Sequence, residues 1–247
     1  MTALRLLILL LLAPPLAAQS LLVVGGGRDV PAATAWFVDQ AAGPILVLDY
    51  EVDPDPGSVD DLQAAGATVT YRPVTSRAEA DDPALAAEVR ASGGVFLPGG
   101  NQARYVDHWQ GTALQGAIQD LYASGGAVGG TSAGAMVLGE VVFDARGGSF
   151  GSREALRDPA GAPISLTTGF LSLLDGVLVD THFYERGRIG RLLAMVARHH
   201  AESGQWITGL GLDDATAITV GHDGIAEVHG RGTVTVVSPE ASAITTV

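Results

Sequence analysis

The 247-residue chain has no cysteine. Disulfides, thiolate metal ligands, a cysteine nucleophile and a lipid-modified N-terminal cysteine are therefore excluded. It has no lysine either, since all 14 basic residues are arginine. That removes Schiff-base chemistry and a lysine general base. Positive charge is scarce overall, with 27 acidic residues giving a net charge of −13. This balance argues against nucleic acid and against anionic membrane surfaces as partners. No clustered metal-ligand spacing occurs, and no G-x-G-x-x-G, so neither a metal nor a dinucleotide cofactor is expected.

What is present begins with Met1 to Ala18. Arg5 supplies a positive start, Leu6 to Leu12 an apolar stretch and Leu16-Ala17-Ala18 a small-residue cleavage site. This reads as a secretory signal, too short to span a bilayer, with an uncleaved anchor as the alternative. Residues 19–247 then form one domain, secreted or periplasmic and off the membrane after cleavage. Without disulfides, its core must hold it together.

Apolar strands alternate with helices. Strands are expected at Ser20 to Val24, Ile45 to Asp49, Ala67 to Tyr71, Val95 to Leu97 and Ala127 to Gly129. Helices are expected at Pro31 to Ala42 (with Asp29 as its cap), Val59 to Ala65, Asp82 to Ala91 and Gln115 to Ser124. The alternation predicts an α/β fold in three layers, a mostly parallel sheet with helices on both faces. Gly139 to Thr168 breaks the pattern and reads as an irregular excursion. A strand at Gly176 to Asp180 and an amphipathic helix at Arg186 to His200 follow. After Ile207 to Leu212, the segments 215–220, 225–229 and 233–237 read as short antiparallel strands. Their apolar faces are either core or a contact between two copies in a homodimer. Gly25-Gly26-Gly27, after the first strand, reads as a permissive turn.

The central stretch is Gly130-Thr131-Ser132-Ala133-Gly134. A serine between strand and helix, with glycine at −2 and +2, matches G-x-S-x-G. Such a turn lifts the hydroxyl out of the sheet and aims the following N–H at an oxyanion. The alternative is a glycine-rich turn that merely packs tightly. A serine needs a base, usually histidine, oriented by a carboxylate. Of six histidines, His182 stands at the C-terminal end of a predicted strand, the same edge as Ser132. His108, His199, His200, His222 and His229 fall on helices or hairpins. The carboxylate is one of Asp180, Asp213, Asp214 and Glu140. The order serine, histidine, acid differs from that of the α/β-hydrolases.

Five segments occur in order: Leu97-Pro98-Gly99-Gly100-Asn101-Gln102, Gly130-Thr131-Ser132-Ala133-Gly134-Ala135, Asp180-Thr181-His182-Phe183, Arg186-Gly187-Arg188-Ile189-Gly190-Arg191-Leu192 and Gly209-Leu210-Gly211-Leu212-Asp213-Asp214. Together they resemble the cyanophycinases, relatives of the aspartyl dipeptidase called dipeptidase E. The resemblance implies a fold like the class I glutamine amidotransferases, with serine in place of their cysteine. It implies Ser132 as nucleophile, His182 as base and Asp214 as its acid. The N–H groups of Gly100 and Ala133 would form the oxyanion hole, and Gln102, Thr181 and Arg191 would contact substrate. That substrate would be cyanophycin, a poly-aspartate bearing arginine on each side-chain carboxyl, or a related aspartyl peptide. Two positions depart from the family pattern: Thr181 stands where it has glutamine, and Asp214 where glutamate is usual.

Overall fold

The structure is a computed structural model describing residues 19–53, 56–160, 163–238 and 243–246, the last four as backbone alone. The expected signal, residues 1–18, lies outside the described residues. The described residues form thirteen strands and nine helices in two sheets.

The first half follows the expected alternation. Strands β1 (Ser20–Val24), β2 (Ile45–Asp49), β3 (Val69–Pro73), β4 (Gly94–Leu97) and β5 (Ala127–Thr131) interleave with six helices. These are α1 (Pro31–Gln40), α2 (Pro56–Ala64), α3 (Arg77–Ala80), α4 (Pro83–Ala91), α5 (Gln102–Trp109) and α6 (Ala113–Ala123). The caps are legible in the sequence. Asp82 accepts the Ala84 N–H at 2.8 Å to start α4, and Asn101 accepts the Ala103 N–H at 2.9 Å to start α5. Asp29 departs from its expected role. Val30 precedes α1, while Asp29 accepts the Thr34 hydroxyl at 2.6 Å.

The second half holds α7 (Ala133–Met136), β6 (Gly139–Phe143), α8 (Ser152–Arg157), β7 (Leu166–Thr168), β8 (Leu174–Asp180) and α9 (Ile189–Ser203). Then come β9 (Thr208–Leu212), β10 (Thr216–Val220), β11 (Ala226–Gly230), β12 (Val234–Ser238) and β13 (Ala243–Thr246). The excursion at 139–168 therefore contains two strands and a short helix. It was hard to see because β6 opens on Gly139-Glu140, β7 has three residues, and glycine-rich loops separate them.

The larger sheet runs β11-β10-β1-β5-β4-β2-β3, parallel from β1 to β3 and antiparallel at β10 and β11. The smaller runs β13-β12-β9-β8-β6-β7. The mostly parallel sheet, its flanking helices and the C-terminal antiparallel strands are as expected, but the second sheet is not. Strand β8, whose end was expected at the same sheet edge as Ser132, lies in the second sheet and pairs with β6 and β9. Of the terminal strands, β10 and β11 pair with each other, while β12 pairs antiparallel with β9.

Period-two burial explains the layering. In β1, Leu22 and Val24 join Phe37 of α1 and Leu62 of α2 on one face. Leu21 and Val23 face Val106, Leu114 and Ile118 of the opposite helices, and Val177 and Val179 of β8. In β8, Leu178 points the other way, to Leu192, Met195 and Val196 of α9. One face of the smaller sheet thus shares the main core, and α9 covers its other face. The chain passes between the sheets after β5, β9 and β11, and the first two crossings help place the site.

Candidate active site

Ser132 directly follows β5 at φ 50°, ψ −116°, a conformation that L residues rarely adopt. Its neighbours are small for a measurable reason. A Cβ on Gly134 would stand 2.0 Å from the Leu97 carbonyl oxygen, and one on Gly130 would stand 2.5 Å from the Gly134 carbonyl carbon. The helix after Ser132 is a single turn, so local N–H groups, rather than a long macrodipole, are what it offers an anion.

Five described non-glycine residues have positive φ: Ser132, Ala145, Ser172, His182 and Ala215. Ser132 and His182 meet each other, Ala215 adjoins Asp214, and Ala145 lines the pocket. Each costs about 1–3 kcal/mol, and such strain gathers at functional sites.

The Ser132 Oγ lies 2.8 Å from His182 Nε2. His182 Nδ1 lies 2.5 Å from Asp214 Oδ1. A carboxylate only accepts, so Nδ1 carries the proton and Nε2 is left to accept from the serine hydroxyl. Burial holds the His182 imidazole below its ordinary pKa, the Asp214 hydrogen bond opposes this, and the nearby Arg186 charge adds to the lowering. The imidazole is therefore neutral, as a base must be.

The structure decides among the carboxylates. Asp214 reaches His182. Asp213 accepts the Tyr184 N–H at 3.0 Å, the Thr233 N–H at 2.8 Å and the Thr233 hydroxyl at 2.7 Å, so it ties the segment after His182 to β12. Glu140 accepts the Gly176 N–H, and Asp180 pairs with arginines. His229 bonds Thr219 and His200 stacks on Trp206.

Sequence reasoning missed the part played by Gly25-Gly26-Gly27. Successive carbonyls beginning at Val24 bind the three chain segments. Val24 accepts the Ser132 N–H at 3.0 Å, Gly25 the His182 N–H at 2.9 Å and Gly26 the Ala215 N–H at 2.9 Å. A Cβ on Gly26 would meet His182 Cε1 at 2.4 Å, and one on Gly27 would meet the Asp214 carboxyl carbon at 2.9 Å. The triple glycine was the available signal; only the fold shows what approaches it.

A pocket of about 290 Å³ opens beside Ser132. Gly100, Gln102, Ala133, Thr181 and Arg191 all line it, together with Arg186 and Arg188. The Gly100 N–H has no protein acceptor among the described residues. Gln102 directs its amide nitrogen at the Met136 sulfur. The Thr181 hydroxyl is fully buried and has no protein partner among the described residues. Arg191 is 1% exposed. It forms a two-pronged bond to Asp180 (2.9 and 2.5 Å), with its guanidinium 5.1 Å from the Phe143 ring centre and 5.7 Å from that of Phe150. Burial pulls the Arg188 guanidinium down to about 10, and it donates to the Thr181 carbonyl. Arg186 is exposed. Among the described residues, no three histidine or acidic side chains converge as metal ligands do.

Residues 62–228 match the profile of Peptidase family S51. The chain belongs to this family. Cyanophycinase of Synechococcus elongatus is 36% identical over 167 residues, 67% of this chain and 48% of the relative. Cyanophycinase of Trichormus variabilis is 34% identical over the same length, 52% of the relative. The matched stretch thus spans about half the length of these family members. Among solved structures, a peptidase from an acI-B1 Actinobacterium superposes with TM-score 0.70 at 19% identity, covering 94% of this chain and 95% of that one. A putative peptidase E protein from Listeria monocytogenes EGD-e gives 0.57 at 15% identity, covering 87% and 100%. At such identities these likenesses carry the fold alone.

Proposed function

We propose that this S51 family member is a serine-type exopeptidase hydrolysing aspartyl peptides, cyanophycin or its β-Asp-Arg fragments among them. The observation that carries the reading is the continuous chain Ser132–His182–Asp214, with hydrogen-bond lengths at both links. Ser132 Oγ attacks the substrate carbonyl carbon as its proton passes to His182 Nε2. The oxygen that gains charge is met by the N–H groups of Gly100 and Ala133. Collapse breaks the C–N bond, and His182 returns the proton to the leaving amine. Water, deprotonated by His182, then hydrolyses the ester and frees Ser132.

The pocket supports an acidic residue beside the scissile bond. Arg186, Arg188 and Arg191 line it, and Asp180 pairs with the two buried members. Arg191 is the strut of this wall, and exposed Arg186 is the member open to a ligand carboxylate. Gln102 adds a polar group at its edge, and Thr181 lines it with its hydroxyl buried. Export through residues 1–18 belongs to the same proposal, and N-terminal sequencing of the exported protein should begin at Gln19.

The test compares residues 19–247 with their Ser132→Ala variant on insoluble cyanophycin and on α- and β-aspartyl dipeptides. Clearing of the polymer or peptide cleavage by the parent only is the expected result. Cleavage of dipeptides without clearing would restrict the substrate to small aspartyl peptides. Silence on every substrate, with no labelling of Ser132 by a fluorophosphonate, would overturn the proposal in favour of a non-catalytic binding protein.

A further inference from the structure

We propose that Tyr50 is a positioning residue for the oxyanion-binding turn, an inference that rests on the reading of Ser132 as nucleophile and Gly100 as an oxyanion donor. Tyr50 directly follows β2 and is 7% exposed. Its hydroxyl oxygen accepts the Asn101 N–H at 2.5 Å. Gly100 has φ +133°, and a Cβ built there would stand 1.9 Å from that same oxygen. The phenol therefore lies directly against the turn and occupies the space a side chain at 100 would need.

The other flank is pinned in the same way. Tyr105 donates its hydroxyl to the Pro98 carbonyl at 2.9 Å. Tyr50 and Tyr105 meet edge to face with ring centres 4.8 Å apart, and Tyr105 meets Trp109 at 4.8 Å. The Trp109 indole N–H is itself anchored on the Val74 carbonyl at 2.9 Å. Two phenols in one aromatic stack thus grip the peptides on either side of Gly99-Gly100. With the Asn101 N–H spent on Tyr50, the Gly100 N–H is left for the pocket.

The physical need is preorganisation. A glycine is free to rotate, and a donor helps only if it already stands where the oxyanion will form. Burial, with the charges of Glu51 and Asp49, pushes the Tyr50 pKa up, although the Asn101 bond opposes this. The group accordingly stays a neutral hydroxyl and brings no negative charge beside the developing oxyanion.

Tyr50→Phe keeps the ring and deletes the oxygen. The expected result is a kcat about 10- to 100-fold lower, because a displaced donor acts only on the transition state. KM should stay within about twofold and the unfolding midpoint within a few degrees. The Asn101 amide should exchange with solvent at least about tenfold faster. A kcat within about twofold of the parent would overturn the proposal. So would a KM that rises in step with a collapsing unfolding midpoint, the mark of a merely structural residue. If Tyr50→Phe does not fold, 3-fluorotyrosine at position 50 carries the test, since it keeps every heavy atom of the phenol and, as a neutral hydroxyl, is the weaker acceptor. A kcat below the parent's with KM unmoved then supports the proposal, and equality overturns it. If the parent neither hydrolyses peptides nor labels at Ser132, the functional reading fails by itself. Unchanged protection of the Asn101 amide in Tyr50→Phe would then overturn the role of Tyr50 separately.

Discussion

Two carboxylates flank the pocket and do opposite work. Asp180 is fully buried and faces Arg191, itself 1% exposed, with Arg188 at 3.5 Å. Asp214 faces His182 with about a third of its side chain open to solvent. The first partnership is dry, multidentate and backed by two aromatic rings. The second is half wet and sits between residues of positive φ, His182 and Ala215. A dry, saturated ion pair fixes a wall because separating its charges is costly. A partly wet imidazole pair can pass a proton, because neither of its charge states is prohibitively expensive.

Variants should separate the two roles. Asp214→Asn should lower kcat by about 10⁴-fold, because an amide lets the imidazole settle in the wrong tautomer. Its denaturant midpoint should stay near the parent's, and a large loss of stability would break the contrast. Asp180→Ala should do the reverse in kind. It leaves two buried guanidiniums without their carboxylate, which costs about 3–5 kcal/mol of folding stability in urea titrations. Full stability would show that the wall does not depend on this pair. Gly26→Ala pushes a methyl onto His182 Cε1, and a catalytic group moved by such a distance loses about 10²-fold in kcat. Unchanged kcat would mean that the triple glycine does not set the imidazole.

The smallest effect concerns pH. His182 is held below its ordinary value of 6.5, so the neutral base survives into more acidic solution than a free imidazole would. Activity should fall only as pH drops through that lowered value. Arg186→Gln removes a charge that contributes to the lowering, so the acid limb of kcat/KM should move to higher pH. A limb that does not move would place Arg186 too well screened to act on His182.

Much of this was legible beforehand. Ser132 announced itself because a strained turn tolerates only small neighbours, and those neighbours are glycines. Four of the first five strands were legible as short, mostly apolar runs, while β3, expected at Ala67 to Tyr71, runs Val69–Pro73 at the sheet edge with Thr70 and Arg72 in it. The 139–168 stretch was not, since β6 opens on glycine and glutamate, β7 has three residues, and they gain their partners, β8 among them, only across the second sheet. Gln102 and Arg191 were placed in the pocket by motif. That Arg191 is spent on Asp180 depends on a contact across eleven residues and two elements.

The sequence by itself determined the alternating strand–helix order, the glycine-bounded serine turn, and the exclusion of thiol and lysine chemistry, because all of these depend on local residue types. Only the tertiary structure decided which acid reaches His182, what the three glycines hold, and that serine and histidine arrive from different sheets. Those outcomes rest on distances between segments far apart in the chain, and packing sets such distances where local propensity cannot.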